Sequence, residues 1–445
     1  MSNTSNILAQ NAFNLDSVGS LSSDVAGLVE SRLRTVGPTT TIFYQQPLHI
    51  VKGEGTWLYD NNGRQYLDVY NNVPSLGHCH PKVVEAIYQQ LKTLNTHTRY
   101  LHETMHQYAD KLLATMPASV NRLVMTCTGT EANDLAMRLA KLHTKKTGFI
   151  VTEAAYHGNS TAVTEVSPAA YKVQKCPDYV VTVPVPPADM ADEQAGAWFA
   201  KQVSEAMDTL EARGLCCAAL LIDSIFSSDG VYSNPKGFIK PAVELVQARG
   251  SLFIADEVQP GFGRTGEAMW GFARHGVTPD IVTMGKPMGN GYPVAGLATR
   301  LDLLDNLSQE AGYFNTFGGS TVAAAAAMAV LNTIEEENIL PRVTEVGRYL
   351  KQGLIELQQE FACLSAVRGV GLFIGADITK IDSNNDPDPS RTTLIMNKLR
   401  ENGVLIGSAG KYANILKIRP PLCFNNSHAD LFLDKLAQVI RATDA

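Results

Sequence analysis

Short apolar segments alternate with helical patterns from about residue 80 to about residue 320. Each segment is almost continuously hydrophobic, which is typical of β-strands covered by helices on both faces. Strands that alternate with helices in this way indicate a parallel or mostly parallel sheet. The segments are 122–126, 148–152, 218–223, 252–255 and 281–284. The pattern therefore predicts an α/β protein with one large, mostly parallel sheet.

The pattern changes after an alanine-rich helical segment from Val322 to about Glu337. Beyond it, helices alternate with short strand-like segments such as 371–376 and 415–418, which predict a smaller α+β domain. The segment 51–68 is typical of short strands joined by an Asn-Gly turn, and we expect it to join this small domain. The predicted division is an N-terminal arm at 1–40, a small domain at 41–75 and 325–445, and a large domain at 76–324.

The composition limits the class of protein. The 445 residues include 37 basic and 44 acidic side chains, and the net charge of −7 argues against nucleic acid or an anionic membrane as the main partner. The seven cysteines are scattered without CxxC pairing, which indicates reduced thiols and a cytoplasmic location. Neither a signal peptide nor an apolar run of membrane-spanning length is evident. A small-molecule partner is the remaining expectation.

Two of the predicted strands lead into an ionisable residue. The segment 252–255 ends at Asp256, and 281–284 ends at Gly285-Lys286. Open α/β sheets bind their ligands at such strand ends. An amine and a carboxylate there suit pyridoxal phosphate, because the lysine forms the Schiff base and the carboxylate keeps the pyridine nitrogen protonated. Apolar and turn residues flank Lys286, and burial among them would lower the pKa of its amine and make it a nucleophile.

The Thr-Gly-Thr-Glu-Ala-Asn segment 128–133 follows a predicted strand and begins a helix. Its small residues would let backbone N–H groups approach an anion at the positive end of the helix. The alternative is an ordinary helix cap, in which Thr130 precedes Glu131. Tyr156-His157-Gly158 follows the strand 148–152, where an aromatic ring can either stack on a planar heterocycle or pack in the core. The glycine-bearing loop 315–321 is also suited to phosphate.

Three further motifs resemble sites of other protein classes and have to be weighed. His102 and His106 fit the H-E-x-x-H pattern of zinc hydrolases, although no third ligand accompanies them. The segment 261–266 matches G-x-G-x-x-G, but the helix that a dinucleotide site requires does not follow it, so we expect a loop. The segment 78–80, His-Cys-His, is interpreted as a turn into a helix.

Together, the motifs at 128–133, 156–158, 256–259 and 285–286 resemble those of the class III, fold-type I, pyridoxal-phosphate-dependent aminotransferases from about residue 40 to 440. Within that family the chain looks most like the branch that holds phospho-lyases of ethanolamine phosphate and mitochondrial alanine–glyoxylate aminotransferases. The segments that carry this closer likeness are 71–73, 77–81, 98–102, 280–291 and 416–423.

The resemblance implies a role for each matching residue. Lys286 would be the Schiff-base lysine and proton shuttle, with Asp256 on the pyridine nitrogen. Val258 would pack on the ring face opposite Tyr156, and Gln259 would reach the ring hydroxyl. It also implies a homodimer with active sites at the subunit interface, where Thr316 of the partner subunit would hold the phosphate. The implied cofactor-binding residues are Gly129, Thr130, Tyr156, His157, Asp223, Asp256, Val258, Gln259, Lys286 and Thr316.

One departure from the family pattern bears on the reaction. Lys417 stands where aminotransferases of this class usually carry an arginine that clamps a substrate carboxylate. Lysine lacks the planar fork that matches a carboxylate, but it serves a phosphate well. We therefore expect Lys417 to bind a substrate phosphate, with Arg419, Tyr44 and Asn72 as further candidates. Alternatively, Lys417 and Arg419 lie on one solvated face of an alternating strand.

The expected reaction is β-elimination of phosphate from an O-phosphorylated amino alcohol such as ethanolamine phosphate, giving an aldehyde, ammonia and phosphate. The first alternative is an ω-aminotransferase that transfers an amino group to pyruvate or glyoxylate. A zinc hydrolase would depend on His102 and His106 alone. A regulatory protein that binds pyridoxal phosphate without turnover is disfavoured by the intact set of Lys286, Asp256 and Gln259.

Overall fold

The computed structural model describes residues 11–171, 175–187 and 190–444. The strands are β1 Ile50–Glu54, β2 Trp57–Asp60, β3 Gln65–Asp68, β4 Arg122–Thr126, β5 Gly148–Thr152, β6 Val180–Val183, β7 Cys217–Asp223, β8 Leu252–Asp256, β9 Ile281–Met284, β10 Ala295–Thr299, β11 Leu364–Val370, β12 Phe373–Ile378, β13 Val404–Leu405, β14 Gly407–Ala409 and β15 Ile415–Ile418. The α-helices are α1 Ser23–Thr35, α2 Pro81–Thr93, α3 Glu103–Leu113, α4 Gly129–Thr144, α5 Thr161–Glu165, α6 Asp192–Ala212, α7 Lys240–Ala248, α8 Leu301–Glu310, α9 Thr321–Glu336, α10 Ile339–Glu360, α11 Pro389–Glu401 and α12 Asn426–Asp444.

A seven-stranded sheet in the order β4-β10-β9-β8-β7-β5-β6 contains the predicted strands. β10 runs antiparallel to its neighbours, and the other pairs are parallel. Every residue of β5, β8, β9 and β10 is buried, as expected for strands covered on both faces. The prediction of a mostly parallel sheet is confirmed. Two strands of this sheet, β6 and β10, were not predicted. The Ala-Gly-Leu-Ala-Thr sequence of β10 has a single β-branched residue, Thr299, and is otherwise poor in the residues typical of strands.

Two four-stranded sheets complete the fold. One has the order β1-β2-β3-β13, and the predicted Asn-Gly turn joins β2 to β3 with Gly63 at φ +78°. The other has the order β11-β12-β15-β14 and is wholly antiparallel. Lys417, on β15, lies opposite Gly375 of β12 and Gly407 of β14. Other parts of the chain pack closely on both glycines, because a Cβ atom would clash with the Tyr70 ring at Gly407 and would lie 2.6 Å from the Gly230 carbonyl oxygen at Gly375.

The alanine-rich helix is confirmed as α9, which packs against α2 and α3. It crosses the predicted domain boundary at residue 324. Part of the predicted arm, residues 1–10, lies outside the described residues. The rest contains α1, and Phe13 is buried, with its backbone N–H donating to the Ile42 carbonyl oxygen at 2.8 Å. The division into arm, small domain and large domain stays a prediction.

The three alternative motifs form structural elements. His102 is the residue before α3 and His106 lies within it, and no group of three or more His, Cys, Asp or Glu side chains among the described residues could hold a metal ion. The segment 261–266 is a loop, as predicted. His80 is the residue before α2, so the predicted turn into a helix is also confirmed. In the described parts of the chain, none of the helices combines the length and apolarity needed to cross a membrane.

Candidate active site

A cavity of about 210 Å³ lies where strands of the large sheet end and α4 begins. It brings together all the predicted cofactor residues except Thr316. Asp223, Asp256 and Lys286 come from the ends of β7, β8 and β9, which are adjacent in the sheet. Because β7, β8 and β9 are parallel, their carboxyl ends meet at one edge. The lining residues are Gly129, Thr130, Tyr156, His157, Gly158, Asp223, Asp256, Val258, Gln259 and Lys286.

Asp256 is a buried carboxylate surrounded by donors. His157 Nδ1 and Asn133 Nδ2 donate to its Oδ2 at 2.7 and 3.0 Å, and the Val258 backbone N–H donates to its Oδ1 at 3.0 Å. Burial alone would raise the pKa of Asp256, but these hydrogen bonds and the histidine together lower it below the ordinary value. Asp256 therefore stays ionised and can accept a hydrogen bond from a protonated nitrogen.

Lys286 follows the end of β9, and its half-buried side chain lines the cavity. Burial, followed by the positive charge of Arg419, lowers the pKa of Lys286 to about 8, against the opposing effect of Asp256 and Asp223. A lysine in this state releases its proton more readily than a solvated one and becomes a nucleophile near neutral pH. The pKa shift expected from the flanking apolar residues is present.

The start of α4 forms one wall of the cavity. Thr128 caps the helix, and its hydroxyl accepts from the Glu131 backbone N–H at 3.1 Å, while Glu131 Oε2 accepts from the Thr128 backbone N–H at 3.2 Å. The cap is therefore Thr128, two residues before Thr130, which is inside the helix. Gly158 packs directly on this turn, since a Cβ atom there would lie 2.5 Å from Thr130 Oγ1, and its φ is +149°. Only glycine permits this approach.

Gln259 and Arg419 form a buried pair beside the cavity. Arg419 Nη1 donates to Gln259 Oε1, and Arg419 Nε donates to the Tyr70 carbonyl oxygen at 2.9 Å. The guanidinium lies over the Tyr70 ring, 4.6 Å from its centroid. Because Arg419 occupies the amide oxygen, the NH₂ group of Gln259 remains as a donor.

Lys417 is buried, as is Arg419, so the alternative that both lie on a solvated face is wrong. Its ammonium nitrogen lies 5.6 Å from the centre of the Phe373 ring, and within the described residues it forms no hydrogen bond or ion pair. Burial lowers the pKa of Lys417 well below its ordinary value, and the charge of Arg419 lowers it further, while Asp223 raises it. The ammonium group of Lys417 thus has no hydrogen-bond acceptor among the described residues, and a bound anion would supply one.

Asp223 lines the cavity beside Asp256, its partner in the register of β7 and β8. Its carboxylate accepts from the Ser227 hydroxyl and from the Ile225 backbone N–H, the latter at 3.0 Å. Burial raises the pKa of Asp223, and the negative charge of Asp256 adds to the rise, while Ser227 and Lys417 oppose it. The positive charge of Lys417 therefore lowers the pKa of Asp223, and the negative charge of Asp223 raises the pKa of Lys417.

Five of the predicted site residues do not line the cavity, and two of them, Lys417 and Arg419, are described above. Arg419 contacts the lining through Gln259. The other three are Tyr44, Asn72 and Thr316. The Tyr44 hydroxyl is buried and bonded to the Ile406 backbone, donating to its carbonyl oxygen at 3.0 Å and accepting from its N–H at 3.1 Å, which leaves no free donor for a substrate. Asn72 is buried, and its Nδ2 has no partner among the described residues, so it keeps donors to offer. Thr316 is exposed in the loop before α9.

Two residues that sequence reasoning missed support the site. Asn133 donates to the His157 carbonyl oxygen at 2.8 Å as well as to Asp256, and its Oδ1 accepts from the Thr283 hydroxyl at 2.7 Å. Asn133 is the last residue of the motif 128–133 and lies one helical turn after Gly129. This spacing places both residues on the same face of the helix and could have identified Asn133 as a site residue. Glu257 is fully buried, and its carboxylate accepts from the Gly271 and Phe272 backbone N–H groups; no pattern in the sequence pointed to that contact.

The donor set fits pyridoxal phosphate. Asp256 offers an ionised carboxylate to a pyridinium, and Lys286 offers a nucleophilic amine. The close approach of Gly158 to the first turn of α4 forms a cradle of backbone groups at a helix start, where phosphate binds. Gln259 offers an amide donor. Aromatic and aliphatic side chains, Tyr156 and Val258, complete the lining.

The chain belongs to the class III aminotransferase family, whose sequence pattern matches residues 43–440. The enzymes of this family depend on pyridoxal phosphate. A Caenorhabditis elegans relative, ethanolamine-phosphate phospho-lyase homolog 1, is 37% identical over 434 residues, which are 93% of this chain and 93% of the relative. A Drosophila melanogaster relative, alanine–glyoxylate aminotransferase 2-like, is also 37% identical, over 91% of this chain and 85% of the relative.

The solved structures agree with this assignment. A phospholyase from Arthrobacter, in complex with phosphoethanolamine, superposes with a TM-score of 0.90 at 40% identity, over 93% of this chain and 99% of that one. The fold is therefore fold-type I, as predicted, and the predicted family is confirmed.

Proposed function

We propose that the protein is a pyridoxal-phosphate-dependent phospho-lyase that removes phosphate from an O-phosphorylated amino alcohol such as ethanolamine phosphate. The observation that carries the proposal is Lys417, a buried lysine without an acceptor, at the position where the family's aminotransferases usually have arginine. The names of the Caenorhabditis elegans relative and of the Arthrobacter structure support the same substrate class.

Bound at this site, pyridoxal phosphate would supply an electron sink for the substrate carbon that carries the amine. Asp256, ionised by its donors, would hold the pyridine nitrogen protonated. Lys286, with a pKa of about 8, would take the proton from that carbon. Gly129 and Thr130 would hold the cofactor phosphate at the start of α4, and Tyr156 and Val258 would pack on the two faces of the ring.

Lys417 would hold the phosphate of the substrate. An arriving phosphate brings negative charge next to a buried lysine, which offsets the desolvation and favours the ammonium form. When the adjacent C–O bond breaks, phosphate leaves with the electron pair, and Lys417 stabilises the charge that develops on it. Water then releases the remaining two-carbon unit as an aldehyde and ammonia, so that ethanolamine phosphate and water give acetaldehyde, ammonia and phosphate.

The direct test is to incubate the holoenzyme with ethanolamine phosphate and no keto acid, while inorganic phosphate and acetaldehyde are measured. Equal amounts of both over many turnovers are expected. Activity that requires added pyruvate or glyoxylate would contradict the lyase and support amino transfer. That second candidate is favoured by the aminotransferase names of relatives that are 34–37% identical.

A homodimer is also proposed. Thr316 does not line the cavity of its own chain, and the adjacent Phe317 is 72% exposed. Leu101 and Tyr100 are 91% and 68% exposed, and such large exposed apolar side chains are typical of a subunit interface. Thr316 of the partner subunit would then complete the phosphate site.

Light scattering during size-exclusion chromatography tests the dimer, and Leu101→Asp is expected to shift the protein towards monomer with loss of activity. Leu394→Asp, at another exposed leucine, is the control. A fully active monomer would rule out a shared site. The cytoplasmic location stays a prediction.

A further inference from the structure

Arg419 and Lys417 are neighbouring cations on the same strand end, but their donors are used differently. Lys417 forms no hydrogen bond with the described residues, whereas Arg419 donates to both Gln259 and the Tyr70 carbonyl oxygen. The backbone N–H of Arg419 also donates to the Val69 carbonyl oxygen at 2.9 Å, and the guanidinium stacks on Tyr70. Arg419 is thus held on the protein before any substrate arrives.

The contact with Arg419 determines the orientation of the Gln259 amide. The two ends of an amide have the same shape, so its orientation depends on its partners. A guanidinium has donors and no acceptor, so it must face the amide oxygen. The amide NH₂ group then points away from Arg419, and Gln259 lines the cavity. A donor at this position suits a ring hydroxyl that has lost its proton.

We propose that Arg419 is a positioning residue that orients the Gln259 amide towards the cofactor, and that it is not a ligand of the substrate phosphate. This inference rests on the cofactor assigned in the proposed function, but not on the lyase reaction. In this proposal Arg419 orients the Gln259 amide, and Lys417 binds the phosphate of the substrate.

The test is a double-mutant cycle on the affinity of the apoprotein for pyridoxal phosphate, measured by absorbance titration. Arg419→Lys keeps the charge but loses the planar fork, and Gln259→Ala removes the amide. Each single variant is expected to weaken cofactor binding by about 3- to 10-fold, the effect of one lost hydrogen bond. The double variant should bind about as weakly as Gln259→Ala alone, because both changes remove the same contact.

Losses that multiply in the double variant would overturn the proposal, as would wild-type cofactor affinity in Arg419→Lys. A further readout is the inhibition constant of inorganic phosphate with the holoenzyme. It should change little in Arg419→Lys and rise in Lys417→Ala, and a larger rise in the Arg419 variant would make Arg419 the phosphate ligand. Arg274→Lys is the matched control, since this largely buried guanidinium donates to the Ser233 carbonyl oxygen at 2.8 Å, outside the cavity lining.

Thermal melting of each apoprotein shows whether the variants fold. If Arg419→Lys does not fold, Gln259→Glu serves instead, because it keeps an acceptor for Arg419 and removes the amide donor. It should then weaken cofactor binding as much as Gln259→Ala, and unchanged affinity would contradict the proposal. A wild-type enzyme that releases no phosphate from ethanolamine phosphate would end the lyase proposal, while the affinity cycle would still decide the role of Arg419.

Discussion

β9 and β15 each position a lysine of the candidate site, but in different ways. Lys286 lines the cavity, whereas Lys417 is buried two residues before Arg419, which contacts the lining residue Gln259. Lys286 lies among side chains from neighbouring strands of its own sheet, and the strand order brings these ends together. Lys417 lies on a different, antiparallel sheet, and its position depends on how that sheet packs against the large one. The first arrangement follows from topology, and the second follows from packing between sheets.

Lys286→Ala should have the largest effect. Loss of the amine that moves the proton is expected to lower phosphate release by at least about 10²–10⁴-fold, the usual contribution of a general base. The measurement is phosphate release from ethanolamine phosphate, together with mass spectrometry after borohydride reduction, which should find the cofactor covalently attached at position 286 only in the wild type. Lys351→Ala, at another partly buried lysine, is the control. An adduct on a different lysine would contradict the assignment.

Lys417→Ala separates the two strand ends. It should weaken kcat/KM for ethanolamine phosphate by about 10- to 100-fold, because a charge-assisted hydrogen bond to phosphate contributes about 1.5–3 kcal/mol. Pyridoxal phosphate should remain bound, which its visible absorbance would show. Lys417→Arg keeps the charge and should retain part of the activity.

Competition by unphosphorylated ethanolamine provides the comparison for Lys417→Ala. Its inhibition constant should change little, since it carries no phosphate. Equal losses for the phosphorylated and the plain amine would remove Lys417 from the substrate site.

The pH dependence of cofactor capture tests the state of Lys286. Only the unprotonated amine reacts, and the pKa of Lys286 is lowered to about 8, so the rate at which apoprotein binds pyridoxal phosphate covalently should rise with pH through about 8 and then level off. Stopped-flow absorbance over a pH series measures this. A midpoint near the ordinary lysine value of 10.5 would show that the surroundings of Lys286 do not lower the pKa of its amine.

The smallest effect is expected for substitution of Glu257, and it concerns the pH dependence of stability. Burial raises the pKa of Glu257 to about 7, above its ordinary value of 4.5, against hydrogen bonds from Ser224 and the Gly271 and Phe272 backbone. Its contribution to stability is present below the unfolded pKa and is lost as the pH rises through 7. Glu257→Gln cannot ionise, so the fall in unfolding free energy between about pH 5 and pH 8 should become shallower.

Urea unfolding of the apoprotein across that pH range measures the change. Glu244→Gln, on the exposed face of α7, is the control and should leave the slope as it is. An unchanged slope in Glu257→Gln would mean that the Glu257 carboxyl titrates as it does in the unfolded chain.

Much of the large sheet and its site could be predicted from the sequence. The continuous apolar segments predicted five of its strands. Asp256 and Lys286 were recognised because they lie one and two residues after two of these segments. These inferences need only the local pattern and the rule that ligands bind at strand ends. β6 and β10 were missed. β6 is a strand of only four residues, and β10 consists mostly of small residues with little strand preference.

The surroundings of β15 could not be predicted in the same way. Alternation along a strand shows that Lys417 and Arg419 share a face, but not whether that face is buried. The hydrogen bond from Arg419 to Gln259 joins residues 160 positions apart in sequence. Tyr44 and Ile406 are also far apart in sequence. The sequence therefore could not show that the Tyr44 hydroxyl, a candidate substrate ligand, is hydrogen-bonded to the Ile406 backbone.

The capping box of Thr128 and Glu131 has a consequence for how the enzyme is loaded. These two residues satisfy each other's backbone donors, so the helix start needs no bound anion to keep its shape. The protein should therefore be able to lose vitamin B6 and regain it without refolding this turn, and an emptied preparation should be a ready receptor for the cofactor.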